Sequence, residues 1–176
     1  MGPPGIDPAS ASAAAITQYD ANGDDKLDDQ ELAKTALSLR LWDANRDGAV
    51  TATEIADRLG HFINSRVGLA GVTCSVSWNR SPLVGAEVVF EPEVFLGEDV
   101  KRSTGTTGRG GVVPMSVAEE FLPQPNMKGI QPGLYKVRIT HPEIELPDIY
   151  NTNTTLTFEY SPVDNLPPPR FQLTRQ

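Results

Sequence analysis

Two stretches of similar design lie in the first third of the chain: DANGDDKLDDQE at residues 20–31 and DANRDGAVTATE at residues 43–54. Each has an oxygen-bearing side chain at positions 1, 3, 5 and 9, an apolar residue at position 8 and a glutamate at position 12. Side chains at alternating positions of a short loop can turn towards one centre, while the apolar position faces a core. The repeated spacing therefore indicates two loops that each surround a centre lined with oxygen atoms.

An oxygen-lined centre of this kind suits a hard cation. Ca²⁺ takes six to eight oxygen ligands at about 2.3–2.6 Å, and the spacing resembles that of EF-hand loops, in which the final glutamate contributes both oxygens. We therefore expect two Ca²⁺ sites and no other cofactor. The candidate ligands in the first loop are Asp20, Asn22, Asp24, the carbonyl of Lys26, Asp28 directly or through water, and Glu31. Those in the second loop are Asp43, Asn45, Asp47, the carbonyl of Ala49, Thr51 and Glu54.

The two loops differ at position 6, where the chain has to turn sharply with a positive φ. The second loop has Gly48 there, whereas the first has Asp25. A non-glycine residue reaches this conformation at a cost of about 1 kcal/mol. The first loop holds four candidate carboxylates against three in the second. Which loop would bind calcium more tightly stays open.

Helices are expected on both sides of the loops. Asp7 and Pro8 suit the start of a helix that runs to Tyr19. Apolar residues recur with helical spacing after the second loop, at Ile55, Leu59, Phe62 and Ile63. Between the loops, residues 29–42 predict one shared central helix of roughly 21 Å, which would hold the loops at opposite ends. A kink near Ser38 would instead let the loops pair side by side.

The rest of the chain has a different composition. Three of the 15 prolines lie in the first eight residues and the other twelve lie between Pro82 and the C-terminus. Short runs rich in Val, Thr, Phe and Tyr, separated by Gly and Pro, predict strands. We expect an α+β chain with a helical EF-hand domain of three helices at residues 1–66 and an antiparallel β-sandwich of about seven strands at residues 67–176. The expected strands include residues 72–78, 86–90, 103–107, 112–117, 135–139, 156–160 and 171–174.

A second resemblance concerns this β-rich part. The run PLVGAEVVF at residues 82–90, the turn TTGRGG at residues 106–111 and the strand PGLYKV at residues 132–137 resemble carboxypeptidase-regulatory-like domains. The segment LPDIYN at residues 146–151 resembles a segment of bacterial, extracytoplasmic members. The resemblance implies a transthyretin-like β-sandwich with a structural or binding role and no active site.

Charge and hydropathy argue against several classes of binding partner. The net charge of −8 argues against nucleic acid and anionic membranes, and no apolar run reaches the roughly 20 residues that span a bilayer. We expect a non-enzymatic module that calcium stabilises, in an extracytoplasmic or secreted protein. The chain shows no signal peptide, which leaves a cytoplasmic location open. The alternatives are a calcium sensor, which the shortage of methionine disfavours, and an adhesion module that binds a protein or a polysaccharide.

Several reactive or aromatic residues are expected to be structural. His61 and His141 have no second histidine or cysteine at ligand spacing, and Cys74 lies in the apolar phase of a strand. An aromatic patch for stacking against a sugar could be formed by Trp78, Phe95, Phe121 and Tyr150. Roles in the core or in anchoring a loop are expected instead.

Overall fold

The acidic loops lie between helices, three of which begin at a capping side chain. In the computed structural model, which describes residues 2–175, the helices are α1 Pro8–Tyr19, α2 Asp29–Leu32, α3 Leu39–Trp42 and α4 Ala52–Asn64. Helix α1 begins as predicted, because the Asp7 carboxylate accepts a hydrogen bond from the Ser10 amide at 3.3 Å and Pro8 fills the first position. Helix α4 packs against α1 and buries Ile55, Leu59 and Phe62, which confirms the predicted apolar face.

The prediction of one continuous central helix is wrong. Helix α2 ends at Leu32, and the next helix begins only at residue 39. In a continuous helix the amides of Ala36 and Leu37 would donate to carbonyls four residues earlier. Here the Ala36 amide donates to the Glu93 carboxylate at 2.6 Å, and the Leu37 amide donates to Thr35 Oγ1 at 2.9 Å. A tertiary contact with the β-rich part therefore interrupts a segment that contains no glycine or proline.

Two sheets are present in the described residues. The small sheet joins β1 Lys26–Leu27 to β2 Val50–Thr51. The large sheet has eight strands: β3 Val72–Trp78, β4 Ser81–Pro82, β5 Glu87–Pro92, β6 Ser103–Thr106, β7 Val112–Val117, β8 Gly133–Thr140, β9 Thr157–Tyr160 and β10 Arg170–Leu173. Its order is β10-β3-β7-β6-β5-β8-β9, with β4 paired to β3. These strands lie close to the segments predicted from the sequence.

The predicted assembly of these strands as an antiparallel β-sandwich is wrong. Strand β7 pairs with β3 through residues 112–115 and with β6 through residues 116–117, so the strands join into one curled sheet instead of two separate sheets. Strand β10 also pairs with β3 in parallel, whereas the other pairs are antiparallel. The chain is thus mostly β, with four short helices in residues 2–175, and it is not a helical EF-hand pair followed by a sandwich.

One core contains side chains from both parts of the chain. The expected boundary at residues 66 and 67 falls between α4 and β3, and the outer limits, Met1 and Gln176, lie outside the described residues. Buried residues such as Trp42 and Phe62 belong to the same apolar cluster as Phe90 and Tyr135. Across residues 2–175, every helix is too short or too polar to span a membrane.

Candidate metal centre

The two acidic loops lie side by side. Strands β1 and β2 pair antiparallel, with Lys26 opposite Thr51 and Leu27 opposite Val50. Position 8 of one loop therefore faces position 8 of the other, and both of these side chains are fully buried, as expected. The break after α2 removes the rigid spacer that would have held the loops apart.

Corresponding side chains in the two loops accept the same hydrogen bonds. At position 1, Asp20 and Asp43 each accept the amide of position 6, at 2.9 and 3.0 Å. At position 3, the side-chain oxygens of Asn22 and Asn45 accept the amide of position 5, at 2.9 and 2.8 Å. Each loop thus turns its first two candidate ligands back towards its own backbone.

Position 5 continues this pattern. Asp24 accepts the amide of Lys26 at 3.2 Å, and Asp47 accepts the amide of Ala49 at 3.0 Å. An ionised carboxylate has about four acceptor positions, so one amide contact leaves others free for a cation. Lys26 lies in β1 and Ala49 directly precedes β2, which places the two residues expected to contribute carbonyls at the junction of the loops.

The glutamate at position 12 closes each loop. One Glu31 oxygen accepts the Ala21 amide at 2.7 Å and the other accepts the Asp28 amide at 3.0 Å. Glu54 makes the equivalent contacts, with the Ala44 amide at 3.0 Å and the Thr51 amide at 2.9 Å. Both oxygens of each glutamate therefore face the loop that precedes it.

The residues at position 9 act as helix caps. Asp28 accepts the amides of Gln30 and Glu31, at 2.8 and 3.1 Å, and Thr51 Oγ1 accepts the amide of Glu54 at 3.3 Å. Together with the glutamates at position 12, they form a capping box at the start of α2 and another at the start of α4. Their expected role beside calcium, direct or through water, stays a prediction.

Position 6 has the positive φ expected from the sequence, and the first candidate ligand of the first loop is ionised. Asp25 has φ 63° and Gly48 has φ 89°, so position 6 is left-handed in both loops. Burial alone would raise the pKa of Asp20, but hydrogen bonds from loop amides, those of Gly23 and Asp25 first, lower this pKa below its usual value. Asp20 is therefore a carboxylate at neutral pH.

The candidate ligands of the two loops can be judged by the atoms that they would offer to a cation. In residues 2–175, no three Asp, Glu, His or Cys side chains stand together as a group that could hold a metal ion by themselves. The donor set expected for each loop is wider, because it also includes an asparagine oxygen and a backbone carbonyl. Every expected donor is an oxygen, which matches a hard cation such as Ca²⁺.

Two buried carboxylates that contact this region could not be identified from the sequence. Glu93, 3% exposed, and Glu159, 7% exposed, come from the β-rich part and accept hydrogen bonds from residues next to the loops. Their partners are far away in sequence, so neither a local motif nor periodicity could have identified them.

The other residues singled out from the sequence have structural contacts. His141 Nε2 contacts the Val84 carbonyl at 2.9 Å, and its Nδ1 accepts the amides of Glu143 and Ile144 at 3.1 Å each, so it holds a loop. His61 is exposed on α4. Burial raises the pKa of the Cys74 thiol to about 12, as expected for an unreactive cysteine.

The four aromatic residues do not form a stacking platform. Phe95 and Tyr150 are buried, at 5% and 7% exposure, and the Tyr150 hydroxyl accepts the Thr174 amide at 3.1 Å. Trp78 and Phe121 are partly buried in different parts of the fold. Trp78 lines an open cleft with residues 143–148 and Arg175.

Comparison with known proteins found no match for the chain among protein-family models, curated proteins or solved structures. The resemblances to EF-hand loops and to carboxypeptidase-regulatory-like domains therefore rest on the residues quoted above.

Proposed function

We propose that this chain is a non-enzymatic calcium-binding module, with one Ca²⁺ in each acidic loop. The observation that carries the proposal is the match between the loops. Positions 1, 3, 5 and 12 accept amide hydrogen bonds from the same loop positions in both, and the loops pair at position 8. Two loops of different sequence that share one internal geometry support a common ligand.

On this proposal calcium stabilises the fold. The loops hold seven candidate carboxylates, which repel one another when no cation lies between them. A cation that binds only the folded chain adds to stability according to its concentration relative to its dissociation constant, about 2.7 kcal/mol per site at a hundredfold excess. Extracellular modules bind calcium at about 10⁻⁴–10⁻³ M, so an extracytoplasmic, calcium-rich location would suit this role.

Calorimetric titration of chelator-treated protein with CaCl₂ tests the proposal. We expect two binding events in the natural chain and one in each of the variants Glu31→Gln and Glu54→Gln, which keep the size of the side chain but remove its charge. Glu120→Gln, at an exposed site away from the loops, is the matched control and should keep both events. MgCl₂ should bind more weakly, because Mg²⁺ needs a smaller octahedral shell.

The absence of heat and of any change in the helical circular dichroism signal, up to several millimolar calcium, would refute the proposal. A dissociation constant of about 10⁻⁷–10⁻⁵ M would instead favour the calcium sensor considered from the sequence.

A further inference from the structure

Each acidic loop is preceded by a buried aromatic residue with a polar hydrogen-bond donor. Tyr19 comes directly before Asp20 and is 9% exposed, and Trp42 comes directly before Asp43 and is 1% exposed. Tyr and Trp donors usually find an acceptor when they are buried. In both cases the acceptor is a buried glutamate from the β-rich part of the chain.

Glu93 contacts both sides of the first loop. One of its oxygens accepts the Tyr19 hydroxyl at 2.7 Å, before the loop, and the other accepts the Ala36 amide at 2.6 Å, five residues after Glu31 closes it. The Tyr19 ring also packs edge-on against Phe95, with ring centroids 6.4 Å apart.

Glu159 contacts both sides of the second loop in the same way. One oxygen accepts Trp42 Nε1 at 2.9 Å, before the loop, and the other accepts Arg58 Nη2 at 2.7 Å. Arg58 lies on α4, four residues after Glu54, and its guanidinium carbon is 5.6 Å from the Trp42 ring centroid. Arg58 also forms an ion pair with Asp164, which lies in the segment after β9. We call the contacts of Glu93 with Tyr19 and Ala36, and those of Glu159 with Trp42 and Arg58, the two clamps.

Glu93 and Glu159 are used in the same way, although their hydrogen-bond donors differ. Glu93 accepts a tyrosine hydroxyl and a backbone amide, and Glu159 accepts an indole and a guanidinium. In each clamp, a single carboxylate from the β-rich part uses one oxygen for the residue before a loop and the other for the segment after it. Each glutamate thus links the residue before one loop to the segment after it through hydrogen bonds. Ordering a binding site in advance removes part of the entropy cost of binding and so raises affinity.

We propose that Glu93 and Glu159 are positioning residues that set the calcium affinity of the first and the second loop, respectively. This inference rests on the proposed calcium function and adds that each loop has its own control point in the β-rich part. A merely structural role for the two glutamates would lower the stability of the whole chain without distinguishing between the loops.

The experiment measures calcium affinity one loop at a time. The background Glu54→Gln leaves only the first loop and the background Glu31→Gln leaves only the second. We expect Glu93→Gln to weaken binding about tenfold in the first-loop background and by less than about twofold in the second, since lost hydrogen bonds to a charged group have effects of this order. Glu159→Gln should show the opposite selectivity.

Two further variants control for folding and for charge. Tyr19→Phe removes only the hydroxyl that Glu93 accepts and keeps the ring, so it should weaken the first loop even if Glu93→Gln folds poorly. Its effect should also be less than additive with that of Glu93→Gln. Glu91→Gln changes a half-exposed carboxylate that pairs with Arg138, two residues from Glu93, and should leave both affinities unchanged.

Equal losses in both backgrounds, or unchanged first-loop affinity in Tyr19→Phe, would overturn the positioning role while leaving calcium binding intact. Failure of the natural chain to bind calcium would refute the proposed function itself, so the two failures are distinguishable.

Discussion

Glycine at position 6 of the second loop is favoured by backbone conformation alone. Gly48 has φ 89°, and a Cβ added there would meet no atom within 4 Å. A larger residue in place of Gly48 would therefore lower stability through its backbone conformation and not through a steric clash. Asp25 carries the same cost at φ 63° in the first loop, where its amide donates to Asp20.

Replacing two glycines by alanine should give effects of opposite sign. Gly48→Ala should lower the free energy of unfolding by about 1–2 kcal/mol, because alanine disfavours a positive φ. Gly60→Ala should raise it by about 0.5–1 kcal/mol, because this glycine lies inside α4 with open space around it. Urea unfolding in the presence of a chelator measures both changes. A loss of stability at both positions would show that α4 has no room for the added methyl group.

At the scale of elements, local signals predicted the bounds of α1 and most of the strands. Asp7 with Pro8 is a capping pattern that can be read without tertiary information. Thr51 with Glu54 is a pattern of the same kind, although the two residues were interpreted only as calcium ligands. The break in the central segment could not be predicted in this way. It depends on Glu93, which lies 57 residues away from the amide that it accepts.

Thr35 stabilises that break, and its removal should be costly. Its hydroxyl accepts the Leu37 amide at 2.9 Å and donates to the Leu32 carbonyl at 3.0 Å, and the residue is 4% exposed. Thr35→Ala would leave a buried amide without its acceptor, so we expect a loss of about 1–3 kcal/mol in the free energy of unfolding.

Thr17→Ala is the matched control for this substitution. Thr17 is exposed on α1 and its hydroxyl donates to the Ala13 carbonyl at 2.9 Å within the same helix. Alanine suits a helix better, so stability should change by less than about 0.5 kcal/mol. Similar losses in the two variants, measured by urea unfolding, would contradict the role given to Thr35.

At the scale of the whole molecule, the sequence predicted individual loops and strands but not how they pack together. The ligand spacing of both loops and the alternation in β3 and β8 are local patterns. The single curled sheet depends on β7 pairing with two different strands, which alternation cannot reveal. The clamps at Glu93 and Glu159 join residues 57 to 117 positions apart, so only the folded chain shows them.

Because the loops, helices and sheet share one core, calcium should stabilise all of them together. The most direct measurement is urea unfolding of chelator-treated and calcium-saturated protein, followed by tryptophan fluorescence and far-UV circular dichroism. We predict that calcium raises the unfolding midpoint and that both signals shift by the same amount, in one transition. An unchanged midpoint at saturating calcium would contradict calcium binding, and a shift confined to the helical signal would contradict the coupling of the loops to the sheet.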